Sequence, residues 1–310
     1  MPVYKGLHSQ IQSNNVRSIL LLVGFPSIIL GAIWLTLFIL RDMQWDAVAQ
    51  DAFMHVLPIA LLAVGGWFLI AFLFHSKMIQ FAVNSKPLER KENMRVYNLV
   101  ENLCMSVGMK MPKIYIMETS ALNAFASGIN EKSYAVTLTR GIIDKLDDAE
   151  LEGVIAHELS HIRNKDVRLL IVSIIFVGIV GFVMNVAFRS ILWGGSGSRK
   201  KQDGRLMLII LLVSALAYFL TIIFRFALSR KREYMADAGA VEMTKRPDAL
   251  ASALRKISGH STVDDVKSDD VKSMFIENNP KEKSAAAVGI SGLFATHPPI
   301  SKRIAFLEQV

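Results

Sequence analysis

Four long apolar segments constrain the fold of this chain more than any other feature of its sequence. Each is 19 to 25 residues long and contains no Asp, Glu, Lys or Arg. Because a helix rises about 1.5 Å per residue, each is about long enough to cross a hydrocarbon core of about 30 Å. We therefore expect four transmembrane helices in two hairpins, namely Ser18–Leu40 with Ala52–Ser76 and Leu169–Phe188 with Leu206–Phe224.

The composition indicates a membrane protein that keeps its first apolar segment. Hydrophobic residues make up 52% of the chain, and the mean hydropathy is +0.37. The segment Ser18–Leu40 is too long for the apolar core of a cleavable signal peptide, and no small-residue cleavage site follows it. We therefore expect it to be a retained anchor. The four segments leave enough polar chain for one compact extramembrane domain.

The distribution of charge predicts the orientation in the membrane. The net charge is +8, but no aromatic-interleaved basic patch or recognition motif indicates nucleic-acid binding. Basic residues instead flank the first hairpin, whereas the loop that connects its two helices carries Arg41 and three aspartates. The positive-inside rule then places the amino terminus and the polar domain in the cytoplasm. Four basic residues in the loop 193–205 oppose this. Either the first hairpin sets the orientation, which we favour, or the second hairpin does not fully cross.

The sequence His157-Glu-Leu-Ser-His161 indicates a metal site. On a helix, residues four apart share a face, so both imidazoles can bind one metal ion. Glu158 lies one step around the helix, where its carboxylate can take a proton from a metal-bound water. This is the residue set of a zinc peptidase. The alternative is a surface helix that carries two unrelated histidines.

A catalytic zinc site needs a third protein ligand, and the segment after the fourth apolar run offers one. Glu233 and Asp237 are four apart on a predicted helix. Glu233 can bind zinc, while Asp237 can accept a hydrogen bond from a zinc-bound histidine. A helical hairpin between the two motifs returns Glu233 to the membrane face that carries His157 and His161. The alternative is a solvated helix face whose acids balance the neighbouring basic residues.

The polar segments predict a domain that contains both helices and short strands. Apolar periodicity predicts the helices, and short apolar runs between turn residues predict the strands. Cys104 is the single cysteine, so no intramolecular disulfide can form and thiolate zinc ligation is excluded. The predicted helices are Glu89–Val107, one starting at Asp147, Pro247–Ile257 and a short terminal helix; the strands are Lys113–Met117, Asn123–Ser127 and Tyr134–Thr139; Ser258–Ser284 is a flexible loop.

Four short motifs are spread along the polar part of the chain: His157-Glu-Leu-Ser-His161, Glu233-Tyr-Met-Ala-Asp237, Asn123-Ala-Phe-Ala-Ser-Gly128 and Thr296-His-Pro-Pro299. Together they resemble the HtpX family of heat-shock membrane metalloproteases, which is related to the prenyl-protein (CAAX) endopeptidases. The resemblance covers nearly the whole chain. It implies a mainly α, α+β fold with a gluzincin-like zinc metallopeptidase domain and a small β-sheet. It also implies a bacterial inner-membrane endopeptidase that faces the cytoplasm and cleaves misfolded or damaged membrane proteins during stress.

The resemblance also assigns roles to individual residues. It implies one zinc ion per chain, with Glu158 as the general base and Asp237 as the partner of a ligating histidine. His297 falls where such enzymes stabilise the oxyanion, and Arg303 is a supporting residue. Tyr234 stands where we expect phenylalanine in bacterial members, so its hydroxyl receives no role. The implied zinc ligands are His157, His161 and Glu233.

The resemblance further implies that the strand upstream of the metal-binding helix borders the cleft. In zincins a substrate can pair with such a strand through main-chain hydrogen bonds, which read no particular side chain and so give broad specificity. Asn123, Ala124 and Phe125 are therefore candidate substrate-binding residues. The alternative is an ordinary edge strand with Phe125 in the core.

The predicted domain organisation follows from these assignments. Residues 1–82 form the first transmembrane hairpin, residues 83–168 and 225–310 form the cytoplasmic zinc metallopeptidase domain, and residues 169–224 form the second hairpin. Charged residues flank the histidine pair, which disfavours an intramembrane protease. Apart from peripheral histidines, the apolar segments contain almost none of the ionisable residues expected in a transporter. The expected partners are protein substrates, especially membrane proteins, and the lipid bilayer. The alternative function is a zinc-binding membrane scaffold without proteolysis.

Overall fold

The computed structural model of the 310-residue chain describes a main body and scattered further positions. It describes residues 47–193, 230–258, 274–276 and 298–310, with isolated positions between 12 and 39, between 211 and 218 and between 260 and 263. These residues divide into two compact units. The first unit contains the described parts of His75–Ile171 and Phe226–Val310, and the second contains those of Val16–Phe74 and Val172–Arg225.

Helices make up most of the described chain. The predicted helix Pro247–Ile257 has the predicted bounds, whereas the helix predicted from Glu89 begins at Met94. The reason is a cap, because the Asn93 side chain accepts the N–H of Val96 and ends the preceding turn. In chain order the helices are α1 (Ala47–Ala82), α2 (Met94–Ser106), α3 (Arg140–Lys145), α4 (Asp148–Arg163), α5 (Asp166–Trp193), α6 (Arg230–Thr244), α7 (Pro247–Ile257) and α8 (Ile300–Leu307).

One of the four predicted membrane spans stands out as a candidate among the described residues. The segment Gln50–Ala82 of α1 contains an 18-residue window with a mean hydropathy of 2.5 and is long and apolar enough to cross a membrane. Many of its large apolar side chains are exposed, among them Ile59, Leu62 and Leu73. Such an apolar surface is unfavourable in water and suits a lipid environment.

Of the other three predicted spans, the structure describes one throughout and two in part. Helix α5 is continuous over the predicted span Leu169–Phe188. The described positions of Ser18–Leu40 are helical. The predicted span Leu206–Phe224 lies mostly outside the described residues, although 211–213, 215–216 and 218 are helical.

A small mixed sheet belongs to the first unit. Its described strands are β1 (Lys86–Pro87), β2 (Lys113–Met117), β3 (Ala124–Ser127) and β4 (Ala135–Thr139), in the spatial order β1-β2-β4-β3. β2 and β4 are parallel, while β1 with β2 and β3 with β4 are antiparallel. All five residues of β4 are buried, as expected for a strand paired on both sides. β3 therefore lies at the outer edge of this sheet.

The start of α4 is fixed by a carboxylate network. Asp147 accepts the N–H of Glu150, and the Glu150 carboxylate accepts the N–H of Asp147, which forms a capping box. Glu150 is 3% exposed and also accepts hydrogen bonds from Ser252 Oγ at 2.7 Å and Lys256 Nζ at 2.6 Å. Since the last two residues lie on α7, the network holds α7 against the start of the helix that carries both motif histidines.

Helices α4 and α6 cross at a glycine. A Cβ atom added to Gly239 of α6 would lie 2.6 Å from Ser160 Oγ and 3.1 Å from Ser160 Cβ of α4. Ser160 is 1% exposed, so its side chain has little room to move away. Glycine at this position lets the two helix backbones approach closely, which determines how far apart the side chains on α4 and α6 can be.

We expect Gly239→Ala to force α6 away from α4. Overpacking of this kind costs about 1–3 kcal/mol, so the thermal unfolding midpoint of the detergent-solubilised protein should fall. Adding Ser160→Ala removes the 2.6 Å contact and should recover most of the loss. Gly178→Ala on α5 is the control, because its added Cβ meets no atom within 4 Å. Equal midpoints for Gly239→Ala and the parent would show that the crossing is not tight.

Candidate metal centre

Two helices bring three metal-binding side chains together. Helix α4 carries His157 and His161, and α6 carries Glu233. The two Nε2 atoms are 3.2 Å apart. His157 Nε2 is 3.6 Å from Glu233 Oε2, and His161 Nε2 is 3.6 Å from Glu233 Oε1. The three predicted ligands thus form one cluster, with ligand atoms within 4.8 Å of one another.

The spacing of these atoms fits a tetrahedral metal ion. For zinc, bond lengths of about 2.0–2.1 Å at tetrahedral angles separate ligand atoms by about 3.3 Å. The Nδ1 atom of each histidine lies beside a carboxylate, and the two Nε2 atoms face each other across 3.2 Å. In the neutral form that metal binding requires, both Nε2 lone pairs and the Glu233 carboxylate are available to one cation between them. The donor set and its geometry therefore suit a bound metal.

A buried chain of charged groups supports His157. Its Nδ1 atom is 2.9 Å from Asp237 Oδ1. Arg303 of α8 donates to both oxygens of Asp237, from Nε at 2.9 Å and from Nη2 at 2.7 Å. Side-chain exposure is 1% or less for all three residues. Because this two-fold pairing is rigid, it orients the Asp237 carboxylate and through it the imidazole ring.

The same groups determine the charges around His157. Burial lowers the pKa of His157, as does the Arg303 guanidinium, but the hydrogen bonds to Asp237 and Glu233 outweigh both and raise it to about 9. Burial works to raise the pKa of Asp237, yet Arg303 and His157 outweigh it and lower that pKa. Asp237 is therefore a stable anion, as a group that accepts the Nδ1–H of a metal ligand must be.

Glu158 has the environment of a general base. It is 2% exposed, and burial raises the pKa of its carboxyl group, while the neighbouring His157 and His161 lower it. Among the residues that the structure describes, its carboxylate accepts no hydrogen bond. A carboxylate with a raised pKa and free lone pairs can take a proton from water and later release it.

Asp166 is a site residue that the sequence reasoning missed. Its Oδ2 atom is 3.2 Å from His161 Nδ1, and the residue is 3% exposed. The signal was present in the sequence, because an aspartate follows the second histidine by five residues. That spacing does not place two residues on one face of a continuous helix. The contact arises because α4 ends at Arg163 and a turn separates it from α5.

The candidate substrate-binding side chains are buried. Asn123 is 1% exposed; its Nδ2 atom donates to the Ser261 carbonyl at 2.8 Å, and its Oδ1 atom accepts the N–H of Ala124. Phe125 is fully buried and packs edge to face against Phe275 with ring centroids 5.1 Å apart. These side chains thus stabilise β3, and what β3 offers to another chain is its main chain.

A short buried segment follows the outer edge of β3. The predicted flexible loop Ser258–Ser284 contains Met274–Ile276, and these three residues are buried rather than solvated. Ile276 donates its N–H to the Ala124 carbonyl at 2.9 Å, and its own carbonyl accepts from Arg303 Nη1 at 3.1 Å. Three apolar residues therefore dock here because β3 and Arg303 supply partners for their side chains and backbone.

Two further predicted positions are His297 and Tyr234. His297, the candidate oxyanion group, lies outside the described residues. Tyr234 packs edge to face against Phe306 of α8, with ring centroids 5.5 Å apart. This contact uses the ring, which agrees with giving the hydroxyl no catalytic role.

We expect Glu233→Ala and Asp237→Asn to differ in metal content. Glu233→Ala removes a ligand, so the purified protein should lose its metal on dialysis against a chelator. Asp237→Asn leaves the three ligands in place and should weaken metal affinity by about 10- to 100-fold. Glu242→Gln is the matched control, since Glu242 is an exposed acid on the same helix. If Glu233→Ala kept as much metal as Glu242→Gln by elemental analysis, Glu233 would not be a ligand.

Known proteins place this chain in a family. A family model described as Peptidase family M48 matches residues 90–310. A protease HtpX homolog from Bacteroides fragilis is 51% identical over 320 residues, which cover 99% of each chain. A protease HtpX homolog from Listeria monocytogenes is 36% identical over 319 residues, covering 98% of this chain and 100% of the relative.

Among solved structures, the crystal structure of S. mikatae Ste24p covers 96% of this chain and 67% of its own, with 20% identity and a TM-score of 0.47. The family match includes all three positions of the ligand cluster, and both HtpX homologs match this chain over nearly its full length. The chain therefore belongs to peptidase family M48 and is a metalloprotease of the HtpX type.

Proposed function

We propose that this protein is a zinc endopeptidase of the bacterial inner membrane that cleaves misfolded or damaged membrane proteins. The observation that carries the proposal is the cluster of His157, His161 and Glu233, with ligand atoms 3.2–3.6 Å apart and Glu158 beside them. Two imidazoles and one carboxylate are a ligand set of catalytic zinc sites, in which the fourth position is left for water or substrate. We therefore propose one zinc ion per chain.

In the proposed reaction the chain's own residues hold the metal and move the proton. Zinc, when bound, supplies a Lewis acid for the scissile carbonyl and a water of lowered pKa. Glu158 removes a proton from the attacking water and then delivers it to the leaving amine. Asp237 keeps the His157 ring in place during both transfers. We assign oxyanion stabilisation to His297 on the resemblance of its motif alone.

The proposed substrate contact is the main chain of β3. Residues 124 and 126 direct their backbone groups away from β4, because Thr139 pairs with Asn123 and the pairing alternates along an antiparallel ladder. Ile276 already donates to the Ala124 carbonyl. A substrate strand is therefore proposed to pair at Ala126, while the buried Asn123 and Phe125 hold the edge strand rigid.

The apolar surface of α1 supports the membrane location. Gln50–Ala82 can cross a bilayer by its length and composition, and basic residues follow it in the sequence. The positive-inside rule then puts the end of α1, and the metal centre that follows it in the chain, on the cytoplasmic side. A protease anchored in this way meets damaged membrane proteins at the membrane surface, which is why we propose them as substrates.

We expect Glu158→Gln to keep its metal and fold but to lose proteolysis. The amide cannot accept a proton, whereas the three ligands are unchanged, so cleavage of casein should fall by roughly 10²–10⁴-fold. Metal content near one ion per chain and an unchanged unfolding midpoint are the controls. Substantial cleavage by the metal-loaded variant would reject Glu158 as the base. A parent protein that binds zinc but cleaves no unfolded substrate would favour the scaffold alternative.

We expect four full membrane crossings, and cysteine labelling can test this. Cys104→Ala removes the single cysteine, which is buried, and gives a background for Gln44→Cys and Ser198→Cys in the two predicted outer loops. A membrane-impermeant maleimide should label both in intact cells or spheroplasts. Lys91→Cys, at an exposed position after α1, should react only after lysis. Labelling of Gln44→Cys in intact cells but of Ser198→Cys only after lysis would show that the second hairpin does not cross.

A further inference from the structure

The two metal-binding histidines have different supports. His157 faces Asp237, which Arg303 holds by two hydrogen bonds. His161 faces Asp166 instead, with 3.2 Å between Nδ1 and Oδ2. The His161 side chain is also 14% exposed, compared with 1% for His157. Of the two ligands, His161 is therefore the one that solvent reaches and the one with more room to rotate.

A strained turn delivers Asp166 to His161. Helix α4 ends at Arg163, and Lys165 has φ = 59°, a left-handed conformation that side-chain-bearing residues rarely adopt. The Lys165 N–H donates to the Ile162 carbonyl at 3.0 Å and closes the turn. The chain then starts α5 with Asp166, whose side chain points back at the last turn of α4. Backbone strain of this kind persists where the surrounding contacts require it.

Asp166 is itself fixed from two directions. As the first residue of α5 it lies where the partial positive charge of a helix amino terminus stabilises a carboxylate. Its carbonyl lies 3.5 Å from Nη1 of Arg232, the residue that precedes the ligand Glu233 on α6. Asp166 is 3% exposed, so water competes little with His161 for a hydrogen bond to its carboxylate. These contacts link Asp166 to both helices that carry ligands.

We propose that Asp166 is a positioning residue that holds His161 on the metal. It accepts the Nδ1–H of His161, which fixes the tautomer whose Nε2 lone pair is directed at His157 Nε2 and Glu233. Because His161 is the more exposed ligand, loss of this hydrogen bond lets its ring rotate toward solvent and release the metal. This role rests on the proposed zinc site. In it, Asp166 determines the rate at which zinc dissociates.

The test measures zinc release rather than proteolysis. Zinc-loaded full-length protein in detergent is mixed with excess chromophoric chelator, and the release rate is followed by absorbance. We expect Asp166→Ala to release zinc about 10- to 100-fold faster than the parent. Asp166→Asn keeps an oxygen acceptor, so its zinc release rate should lie between those of the parent and Asp166→Ala. Asp248→Asn is the matched control, because Asp248 is also a first-turn acid but is exposed on α7.

Cobalt substitution separates positioning from a general loss of stability. The visible absorption bands of bound Co²⁺ report the ligand field, so they should shift in Asp166→Ala and stay unchanged in Asp248→Asn. The proposal would be overturned if Asp166→Ala released zinc at the same rate as the parent and had the same cobalt spectrum. If Asp166→Ala does not fold, a parent-like rate and spectrum in Asp166→Asn, with a lowered unfolding midpoint, would also overturn it. A parent protein that binds no zinc would instead overturn the proposed function.

Discussion

The buried ion pair between Arg303 and Asp237 is the interaction on which the metal centre depends. Each partner removes the cost of burying the other, and the pair joins α8 to α6 while Asp237 contacts α4 through His157. Removal of one partner from such a pair typically costs about 3–5 kcal/mol, because it leaves an uncompensated buried charge. The guanidinium also donates to the Ile276 carbonyl, so the segment beside β3 depends on the same group. In this M48 protease the candidate metal ligands and the segment beside β3 therefore share one electrostatic support.

Local signals in the sequence were sufficient for the parts of the site that lie on regular helices. Helical periodicity determines which side chains share a face, and this grouped His157 with His161 and Glu233 with Asp237. The capping residue Asp147 located the start of α4. These predictions needed no knowledge of tertiary structure, because spacing along one helix carries the information. The structure brings His157, His161 and Glu233 together in one cluster and places Asp237 2.9 Å from His157.

The contacts that the sequence did not predict depend on how the chain turns between helices and strands. Asp166 reaches His161 only because Lys165 takes a left-handed conformation, which neither residue type nor spacing predicts. Met274–Ile276 lies in a polar stretch whose composition resembles a loop, yet it is buried against partners that are distant in sequence. Burial of Asn123 likewise requires the Ser261 carbonyl, 138 residues further along the chain. Such long-range partners leave no periodic signal.

The position of Arg303 also has a consequence for the order in which the protein matures. The ribosome makes the two histidines of α4 first and then Glu233 and Asp237. Arg303, whose guanidinium pairs with Asp237, follows only 66 residues after Asp237. Until that residue has emerged and docked, burial of Asp237 is unfavourable because its counterion is missing, and the ligand cluster lacks this support. A chain in which α8 has not yet docked is therefore expected to bind the metal weakly, so that metal binding follows the folding of a helix that carries no ligand.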